Sequence, residues 1–380
     1  MQQCSFYRNI YNRKILSKII SIATAVPANK HKQEDLFSFA DKVYNKDETE
    51  SRKLKFLYRQ SGIGSRYSVI PDYSTPSNAW KFFPDNEGLE PFPSIEKRME
   101  WFNNHAAALS VKAIEQCITG KLNKENITHL ITVSCTGISA PGLDLQVMEL
   151  MDLPKNIFRT SVNFMGCYAA VHALKLGDAL CKADKKANVV IVCTELCTLH
   201  FQKNISTDNI TSSLLFGDGT AALLMQHTHA TARGIVMDSF YSDVSFNGKK
   251  DMAWELSSTG FLMTLTGYVP ALIKEDFNNL LTNALQHSNL QKNEITHWCI
   301  HPGGSKILDA IAVSAGLKKD DLQYSYDVLK DYGNMSSPTI LFVLKKILDE
   351  LERKENSAAK IFAAAFGPGL TMETFTASYA

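Results

Sequence analysis

A cysteine placed before a helix of small apolar residues is the feature of this sequence best suited to chemistry. Cys167 lies in the segment 165–169, Met-Gly-Cys-Tyr-Ala. Residues 157–164 alternate in a β-rich pattern that predicts a strand, and residues 169–180 repeat apolar side chains at helical spacing. Unpaired amides and the positive end of a helix dipole stabilise a thiolate at such a turn. The segment therefore predicts a nucleophile, although a buried cysteine more often packs as a small hydrophobe.

An internal repeat links this segment to the second half of the chain. Residues 126–131 (Asn-Ile-Thr-His-Leu-Ile) are similar to residues 294–299 (Glu-Ile-Thr-His-Trp-Cys), and residues 163–174 match residues 333–344 at an offset of 170. Each match is short, and convergent strand composition could produce any one of them. Their preserved order along the chain instead indicates a duplication.

The duplication predicts two α/β halves, residues 1–235 and 236–380, each with a mixed sheet and a buried helix. The turns that hold Cys167 and Asn334 become symmetry mates facing each other across the centre. His301 follows the repeated strand, at the carboxyl edge where open α/β sheets place their ligands. We therefore expect His301 and Asn334 to meet Cys167, although 134 and 167 residues separate them from it.

Composition and charge narrow the possible functions. Of the 380 residues, 45% are hydrophobic and 21% are charged, as in an ordinary globular protein, and the net charge of +1 argues against nucleic acid or an anionic membrane as the main partner. Residues 15–22 are interrupted by Lys18 and read as a first strand, not as a signal peptide. No segment reaches 18 uninterrupted apolar residues, so no membrane span is expected.

The eight cysteines are too few for a disulfide scaffold in a chain of this length, and their apolar surroundings suggest a reducing, cytoplasmic location. Cys193, Cys197 and His200 form a C-x3-C-x2-H pattern that invites a zinc interpretation. No second ligand pair with zinc-finger spacing follows, and residues 189–193 suit a buried strand. No metal site is therefore predicted.

Four segments resemble the signatures of chalcone synthase-like type III polyketide synthases, in family order. They are Asn-Phe-Met-Gly-Cys at 163–167, His-Pro-Gly-Gly at 301–304, Tyr-Gly-Asn-Met-Ser-Ser at 332–337 and Phe-Gly-Pro-Gly-Leu-Thr at 366–371. The resemblance implies the thiolase fold, a duplicated αβαβα arrangement of layers, and a homodimer. It also implies repeated decarboxylative condensation of malonyl-CoA onto an acyl-CoA starter, with no cofactor other than the CoA thioesters.

The implied chemistry gives each of the three residues a role. Cys167 would attack the starter thioester and carry the growing chain. A His301 N–H and the Asn334 amide would stabilise the enolate that decarboxylation produces, as an oxyanion hole does. Because a helix N-terminus and a neighbouring imidazolium both lower a cysteine pKa, an ionised Cys167 is expected near neutral pH.

The resemblance also assigns a substrate cavity. Its expected positions are Cys135, Thr136, Cys197, His200, Phe216, Met263, Ser336 and Pro368. Phe216 retains one of the two phenylalanines that gate the cavity of chalcone synthases, and Met263 replaces the other. Cys135, Cys197 and His200 stand where those enzymes have threonine, a pattern more similar to bacterial members than to plant ones. We expect His200 to reach a chain carbonyl, and an aliphatic acyl-CoA or malonyl-CoA starter to give a pyrone or small phenolic.

Other positions depart further from the plant pattern. Trp254 falls where a small residue widens the plant cavity, and Ala140 replaces a methionine that reaches the partner subunit. Of three basic positions that contact CoA in the family, only Lys53 is matched, and Lys55, Arg59 and Lys306 are candidates to compensate. The expected CoA contacts are Lys53, Lys306, Gly303 and Gly304.

Two other interpretations remain open at this stage. A β-ketoacyl synthase III-like enzyme, which performs one condensation in fatty-acid synthesis, would also have Cys, His and Asn. The segments at 216–219 and 366–371 favour the polyketide synthase. A non-catalytic binding protein on a thiolase scaffold would not need an intact set of all three residues.

Overall fold

The structure is a computed structural model that describes residues 16–44, 47–228, 232–354 and 358–379. Its strands, in chain order, are β1 (Ser17–Ala25), β2 (Asn29–Lys32), β3 (Ser65–Ser68), β4 (His129–Ser134), β5 (Phe158–Asn163), β6 (Asn188–Leu196), β7 (Asp218–His227), β8 (Ile235–Val244), β9 (Met252–Ser257), β10 (Gly260–Leu265), β11 (His297–Ile300), β12 (Ala359–Gly367) and β13 (Thr371–Tyr379).

The α-helices alternate with these strands along the chain. They are α1 (Gln33–Tyr44), α2 (Glu48–Gln60), α3 (Ile95–Ile118), α4 (Leu143–Met151), α5 (Ala169–Ala183), α6 (Thr207–Leu215), α7 (Val269–Ser288), α8 (Ser305–Ala315), α9 (Gln323–Tyr332) and α10 (Thr339–Arg353).

One large sheet is symmetric about its middle. Its strand order is β11-β12-β13-β8-β1-β7-β6-β4-β5, so β8, β13, β12 and β11 mirror β1, β7, β6 and β4, and β5 extends one edge. The two halves join through a short antiparallel contact, in which Lys18 pairs with Val236 and Ile19 with Ile235. The duplication inferred from the sequence is thus visible in the strand order.

Helices lie between the two halves of the sheet and on their outer faces. Helices α5 and α10 share one apolar cluster with inward-facing residues of β6, β7, β12 and β13. Helix α3 packs on β1, β6 and β7, and α7 packs on β8 and β13. Small residues let α5 approach the sheet closely, because a Cβ atom at Gly177 would lie 2.9 Å from Met225 Sδ. The resulting layers alternate helix, sheet, helix, sheet and helix, as the sequence predicted.

The elements around Cys167 also agree with the sequence analysis. The predicted strand corresponds to β5 and the predicted helix to α5, and residues 17–25 form the predicted first strand. The division of the chain at residues 235 and 236 stays a prediction, and it falls at the start of β8. Cys4 lies outside the described residues. Within the described ranges, no helix has the length and apolar character needed to cross a membrane.

Candidate active site

The loop between β5 and α5 presents Cys167. Phe164 and Gly166 both adopt positive φ angles, 60° and 80°, which turn the chain sharply before the helix. A Cβ atom at Gly166 would lie 2.2 Å from Cδ of Pro368, so only glycine lets these two loops approach. Helix α5 begins at Ala169, and no side chain in the described part of the chain caps its first turn. Cys167 is therefore held next to an uncapped helix N-terminus, as predicted.

His301 lies immediately after β11, at the carboxyl end of the strand. Its backbone N–H donates to the carbonyl of Ala364 on β12 at 2.9 Å, and its own carbonyl accepts from Gly303 N–H at 3.0 Å. The side chain is 1% exposed. Neither ring nitrogen has a hydrogen-bond partner among the described residues. A buried imidazole with both nitrogens free is available to a bound substrate.

Asn334 is held with its amide group in a fixed orientation. Its Oδ1 atom accepts the backbone N–H of Ser336 at 2.8 Å, while Nδ2 points toward the carbonyl of Gly303 at 3.4 Å. The backbone of Asn334 also pairs with the segment around Phe216: Asn334 N–H donates to Leu215, and Gly217 N–H donates to Asn334, both at 2.9 Å. With Oδ1 accepting from Ser336 and one N–H of Nδ2 donating to Gly303, the second N–H of Nδ2 is the part of Asn334 left for a ligand.

These three side chains line one cavity. Ten of the residues assigned to the active site and cavity from the sequence lie in this wall, together with Gly303. They are Cys135, Thr136, Cys167, Cys197, Phe216, Met263, His301, Asn334, Ser336 and Pro368. Residues from both halves of the fold contribute, so the cavity lies where the duplicated units meet.

Burial disfavours the charged form of the Cys167 thiol and of the His301 imidazole when each group is considered alone. Desolvation raises the pKa of the Cys167 thiol to about 11, although side-chain hydrogen bonds from Ser336 and Asn334 act to lower it. Desolvation also lowers the pKa of His301 to about 3. Desolvation therefore opposes the ionised Cys167 beside a neighbouring imidazolium that the sequence predicted, because it disfavours the charged form of both groups. A proton moving from the thiol to the imidazole would leave the net charge of the cavity unchanged.

His200 does not occupy its predicted role. It lies behind the cavity wall, where Nε2 donates to the carbonyl of Thr136 at 2.8 Å and Nδ1 accepts the backbone N–H of Phe261 at 3.1 Å. The ring also stacks on Phe261 at a centroid distance of 4.3 Å. Burial lowers the pKa of His200 to about 3. Because both nitrogens are engaged by the protein, His200 has no hydrogen bond left for a chain carbonyl.

Trp254 is a cavity residue whose role the sequence left open. It lies on β9, directly opposite Met263 on β10, and both side chains line the cavity. Its indole Nε1 donates to the carbonyl of Cys135 at 2.7 Å, and its ring meets that of His200 edge-on. The indole is fixed at both ends and occupies space that a small residue would leave open.

Glu195 is a buried carboxyl group that the sequence analysis missed. It accepts hydrogen bonds from Ser337 Oγ at 2.6 Å, from the Cys135 N–H at 2.8 Å and from Thr136 Oγ1 at 2.8 Å. Burial raises its pKa to about 7. Glu195 therefore ties the Cys135 turn of the first half to the Ser337 turn of the second. The sequence feature that could have indicated Glu195 is its position as a charged residue near the end of the apolar run in β6.

The residues assigned to CoA lie in different surroundings. Gly303 lines the cavity, whereas Gly304 precedes α8 and packs near Leu215. Lys306 is in the first turn of that helix. Lys53 lies on the exposed surface of α2 and forms an ion pair with Glu50 at 2.8 Å. Lys53 is not among the residues that line the cavity.

Comparison with known proteins identifies the family. Sequence profiles of the N-terminal and C-terminal domains of chalcone and stilbene synthases match residues 7–228 and 240–378. "Probable polyketide synthase 1" of Dictyostelium discoideum is 28% identical over 384 aligned residues, which cover 98% of this chain but only 12% of that protein. "Alpha-pyrone synthesis polyketide synthase-like Pks18" of Mycobacterium tuberculosis is 28% identical over 362 residues, which cover 93% of this chain and 89% of that protein.

Two solved structures have the same fold. PKS-I of the brown alga Ectocarpus siliculosus superposes with a TM-score of 0.90 at 24% identity, covering 97% of this chain and 100% of that one. The C-terminal type III polyketide synthase domain of "Steely1" from Dictyostelium superposes with a TM-score of 0.84 at 27% identity, covering 96% and 99%. The predicted affinity to bacterial members stays a prediction. Because the two domain profiles match most of its length, the chain belongs to the chalcone and stilbene synthase family of type III polyketide synthases, and it has their duplicated thiolase fold.

Proposed function

We propose that this protein is an acyltransferase that extends an acyl-CoA starter, held as a thioester on Cys167, by repeated decarboxylative condensation with malonyl-CoA. The product is released as a pyrone or a small phenolic. One observation carries the proposal: Cys167, His301 and Asn334 line the same buried cavity, and His301 keeps both ring nitrogens free. A purely structural histidine at 1% exposure would have at least one nitrogen satisfied by the protein.

Loading of the chain begins with the joint ionisation of Cys167 and His301. The thiol proton passes to the imidazole as the sulfur attacks the carbonyl carbon of the starter thioester. The C–S bond to CoA breaks, and the proton on His301 can then go to the departing CoA thiolate. The amides of the uncapped α5 N-terminus favour the developing negative charge near Cys167.

Extension requires an enolate of acetyl-CoA. When the carboxylate of malonyl-CoA leaves as carbon dioxide, its bonding electrons pass to the enolate oxygen. An N–H of His301 and the Nδ2 group of Asn334 are the donors proposed to bind that oxygen, and the contact of Ser336 N–H with Oδ1 supports the required orientation of the amide. The enolate carbon then attacks the acyl carbon on Cys167, and the bond from that carbon to the Cys167 sulfur breaks. The extended chain is now a CoA thioester, and it returns to Cys167 by the loading step, with release of CoA, before the next condensation.

The preference for an aliphatic acyl-CoA or malonyl-CoA starter rests on the cavity wall. Trp254 and Met263 face each other across β9 and β10 and fill space next to Cys135. A wall of this kind leaves less room for an aromatic starter than a small residue at position 254 would. The name of the mycobacterial relative, which refers to α-pyrone synthesis, also supports a pyrone product.

A homodimer is part of the proposal. Strand β5 is one of the two edge strands of the large sheet, and its residues are mostly exposed. Nearby segments expose large apolar side chains: Ile138 at 50%, Leu150 at 61% and Phe158 at 71%. An unpaired edge beside exposed apolar groups is a typical interaction surface. Pairing of β5 with β5 of a second copy would cover both features.

CoA binding and cellular location complete the proposal. Gly303 in the cavity wall and Gly304 and Lys306 at the start of α8 support entry of the CoA thioester from this side. Lys53 is retained as a phosphate contact at the surface. The described cysteines are all unpaired, which supports a reducing compartment such as the cytoplasm.

The test is incubation with malonyl-CoA and a series of acyl-CoA starters, with products identified by mass spectrometry. Products containing two or more malonyl-derived units are expected from the wild type and are absent from Cys167→Ala. A single condensation would favour the β-ketoacyl synthase III-like alternative. Equal product from wild type and Cys167→Ala would refute the proposal, and no turnover with any starter would favour a non-catalytic binding protein.

A further inference from the structure

A second chamber lies against the wall of the catalytic cavity. It is bordered by α1, α6 and the segment around His200. Four residues line both spaces and so form the partition between them: Cys197, Phe216, Trp254 and Met263. The catalytic chemistry described above uses no group from the far side of this partition.

The far side of the second chamber contains a buried guanidinium group. Arg66 is 3% exposed and lines the chamber. Its Nε donates to Gln33 Oε1 at 3.1 Å and its Nη1 donates to the carbonyl of Phe216 at 2.5 Å. Its Nη2 has no hydrogen-bond partner among the described residues. An unpaired donor of this kind is unusual in a protein interior, because a buried polar group without a partner is destabilising.

The charge on Arg66 is also without a direct counterion. Asp218 is the carboxylate that acts on it, and the hydroxyl of Tyr58 lies close enough to interact with it as well. Asp218 Oδ1 accepts from Thr198 N–H, however, and Oδ2 accepts from Val69 N–H and Thr198 Oγ1, at 2.8 to 2.9 Å. Arg66 forms no ion pair with any residue that the structure describes. A ligand carboxylate would supply both the missing acceptor and the missing negative charge.

The rest of the chamber suits an aliphatic chain. Leu36, Phe39, Ala40 and Phe261 contribute apolar surface. Polar side chains lie on α6, including Ser212 and Ser213, and also beside Arg66 and around His200. An occupant that matches these walls has an apolar body and an anionic end. The partition is also deformable at one point, because Met263 is unbranched and only half-buried.

We propose that the second chamber binds the far end of an acyl starter that carries a terminal carboxylate, with Arg66 Nη2 as its hydrogen-bond donor and Met263 as the side chain that moves aside to admit it. The starter class would then be the CoA monothioesters of aliphatic dicarboxylic acids. This inference rests on the proposed function, since the other end of the same chain is the acyl group on Cys167.

The first experiment compares loading of Cys167 by suberoyl-CoA, octanoyl-CoA and acetyl-CoA, followed as CoA release in the absence of malonyl-CoA. Suberoyl and octanoyl chains have the same length and differ in the terminal carboxylate. A hydrogen bond to a charged group predicts at least a tenfold preference for suberoyl-CoA in kcat/KM. Equal rates with the two chains would overturn the proposal.

Two variants of helix α6 test whether the preference for suberoyl-CoA arises in the second chamber. Ser212→Leu places a larger side chain in the chamber, whereas Thr211→Leu changes the preceding residue, which does not line it. Ser212→Leu should lose the preference for suberoyl-CoA and keep its rate with acetyl-CoA, and Thr211→Leu should keep both. Retention of the preference in Ser212→Leu would overturn the assignment of the chamber.

A binding measurement separates this inference from the proposed function. Free suberate should raise the melting temperature of the wild-type protein more than octanoate does, and Arg66→Lys should remove the difference. Folding of Arg66→Lys is checked by its circular dichroism and its acetyl-CoA loading. Failure of suberate to stabilise the wild type, while malonyl-CoA is still extended, overturns this inference alone. Stabilisation by suberate without any extension overturns the proposed function alone.

Discussion

Replacement of His301 by glutamine tests whether Cys167 and His301 ionise as a pair. Glutamine has a similar volume and keeps a hydrogen-bond donor, but it cannot accept the thiol proton and become a cation. Without that proton acceptor, we expect the thiol to keep the pKa of about 11 that burial imposes, against an ordinary value of 9.0. The difference of two pKa units means about 100-fold less thiolate at neutral pH than an exposed cysteine would have.

The assay is the rate of iodoacetamide alkylation of Cys167 between pH 5 and pH 11, measured by peptide mass spectrometry. A raised thiol pKa lowers the thiolate fraction at any given pH, so alkylation of His301→Gln should be slow at neutral pH and should increase until about pH 11. The wild type should reach its plateau at a lower pH, because His301 takes the proton. Burial also raises the pKa of Cys135 and Cys197 well above the usual range, so these two should stay unlabelled at neutral pH. Superimposable profiles for the wild type and His301→Gln would refute the pairing.

Three further substitutions probe the cavity. Asn334→Ala removes one of the two proposed enolate donors. It should lower the rate of malonyl-CoA decarboxylation by on the order of 100-fold while starter loading persists. An equal loss of rate in both steps would contradict this role. Gly166→Ala introduces a Cβ atom 2.2 Å from Pro368, on a residue whose φ is 80°. It should lower the free energy of unfolding, measured by denaturant titration, by at least about 1–2 kcal/mol. An unchanged denaturation midpoint would argue against the tight contact between the two loops. Trp254→Ala removes the indole from the cavity wall and should shift products toward longer chains, and an unchanged product distribution by mass spectrometry would show that Trp254 does not limit chain length.

Much of the fold could be predicted from the sequence because its signals are local. The strand before Cys167 and the helix after it are visible in residue periodicity, and the repeat at an offset of 170 residues predicted the symmetric sheet. Convergence of His301 and Asn334 on Cys167 followed from the same symmetry. The cavity positions depended on the family resemblance, because no periodicity indicates which side of a loop faces a cavity.

Other features depend on side-chain orientation and desolvation, which sequence patterns do not carry. His200 was expected in the cavity, but the carbonyl of Thr136 and the amide of Phe261 hold its ring behind the wall. Glu195 was overlooked because its partners come from both halves of the fold. The expected ionised Cys167 was based on the helix dipole and the histidine, whereas the closed cavity adds a desolvation penalty of the opposite sign.

The central claim is that Cys167 carries the chain through successive condensations. The most direct measurement is intact-protein mass spectrometry of the wild type, quenched at short times after mixing with a starter acyl-CoA and malonyl-CoA, with the modified residue located by peptide mapping. We predict a starter adduct on Cys167 that is followed by adducts longer by one and then by two malonyl-derived two-carbon units, and no adduct on Cys167→Ala. Multiply extended product formed while Cys167 remains unmodified, or with the chain on Cys135 or Cys197, would contradict the account.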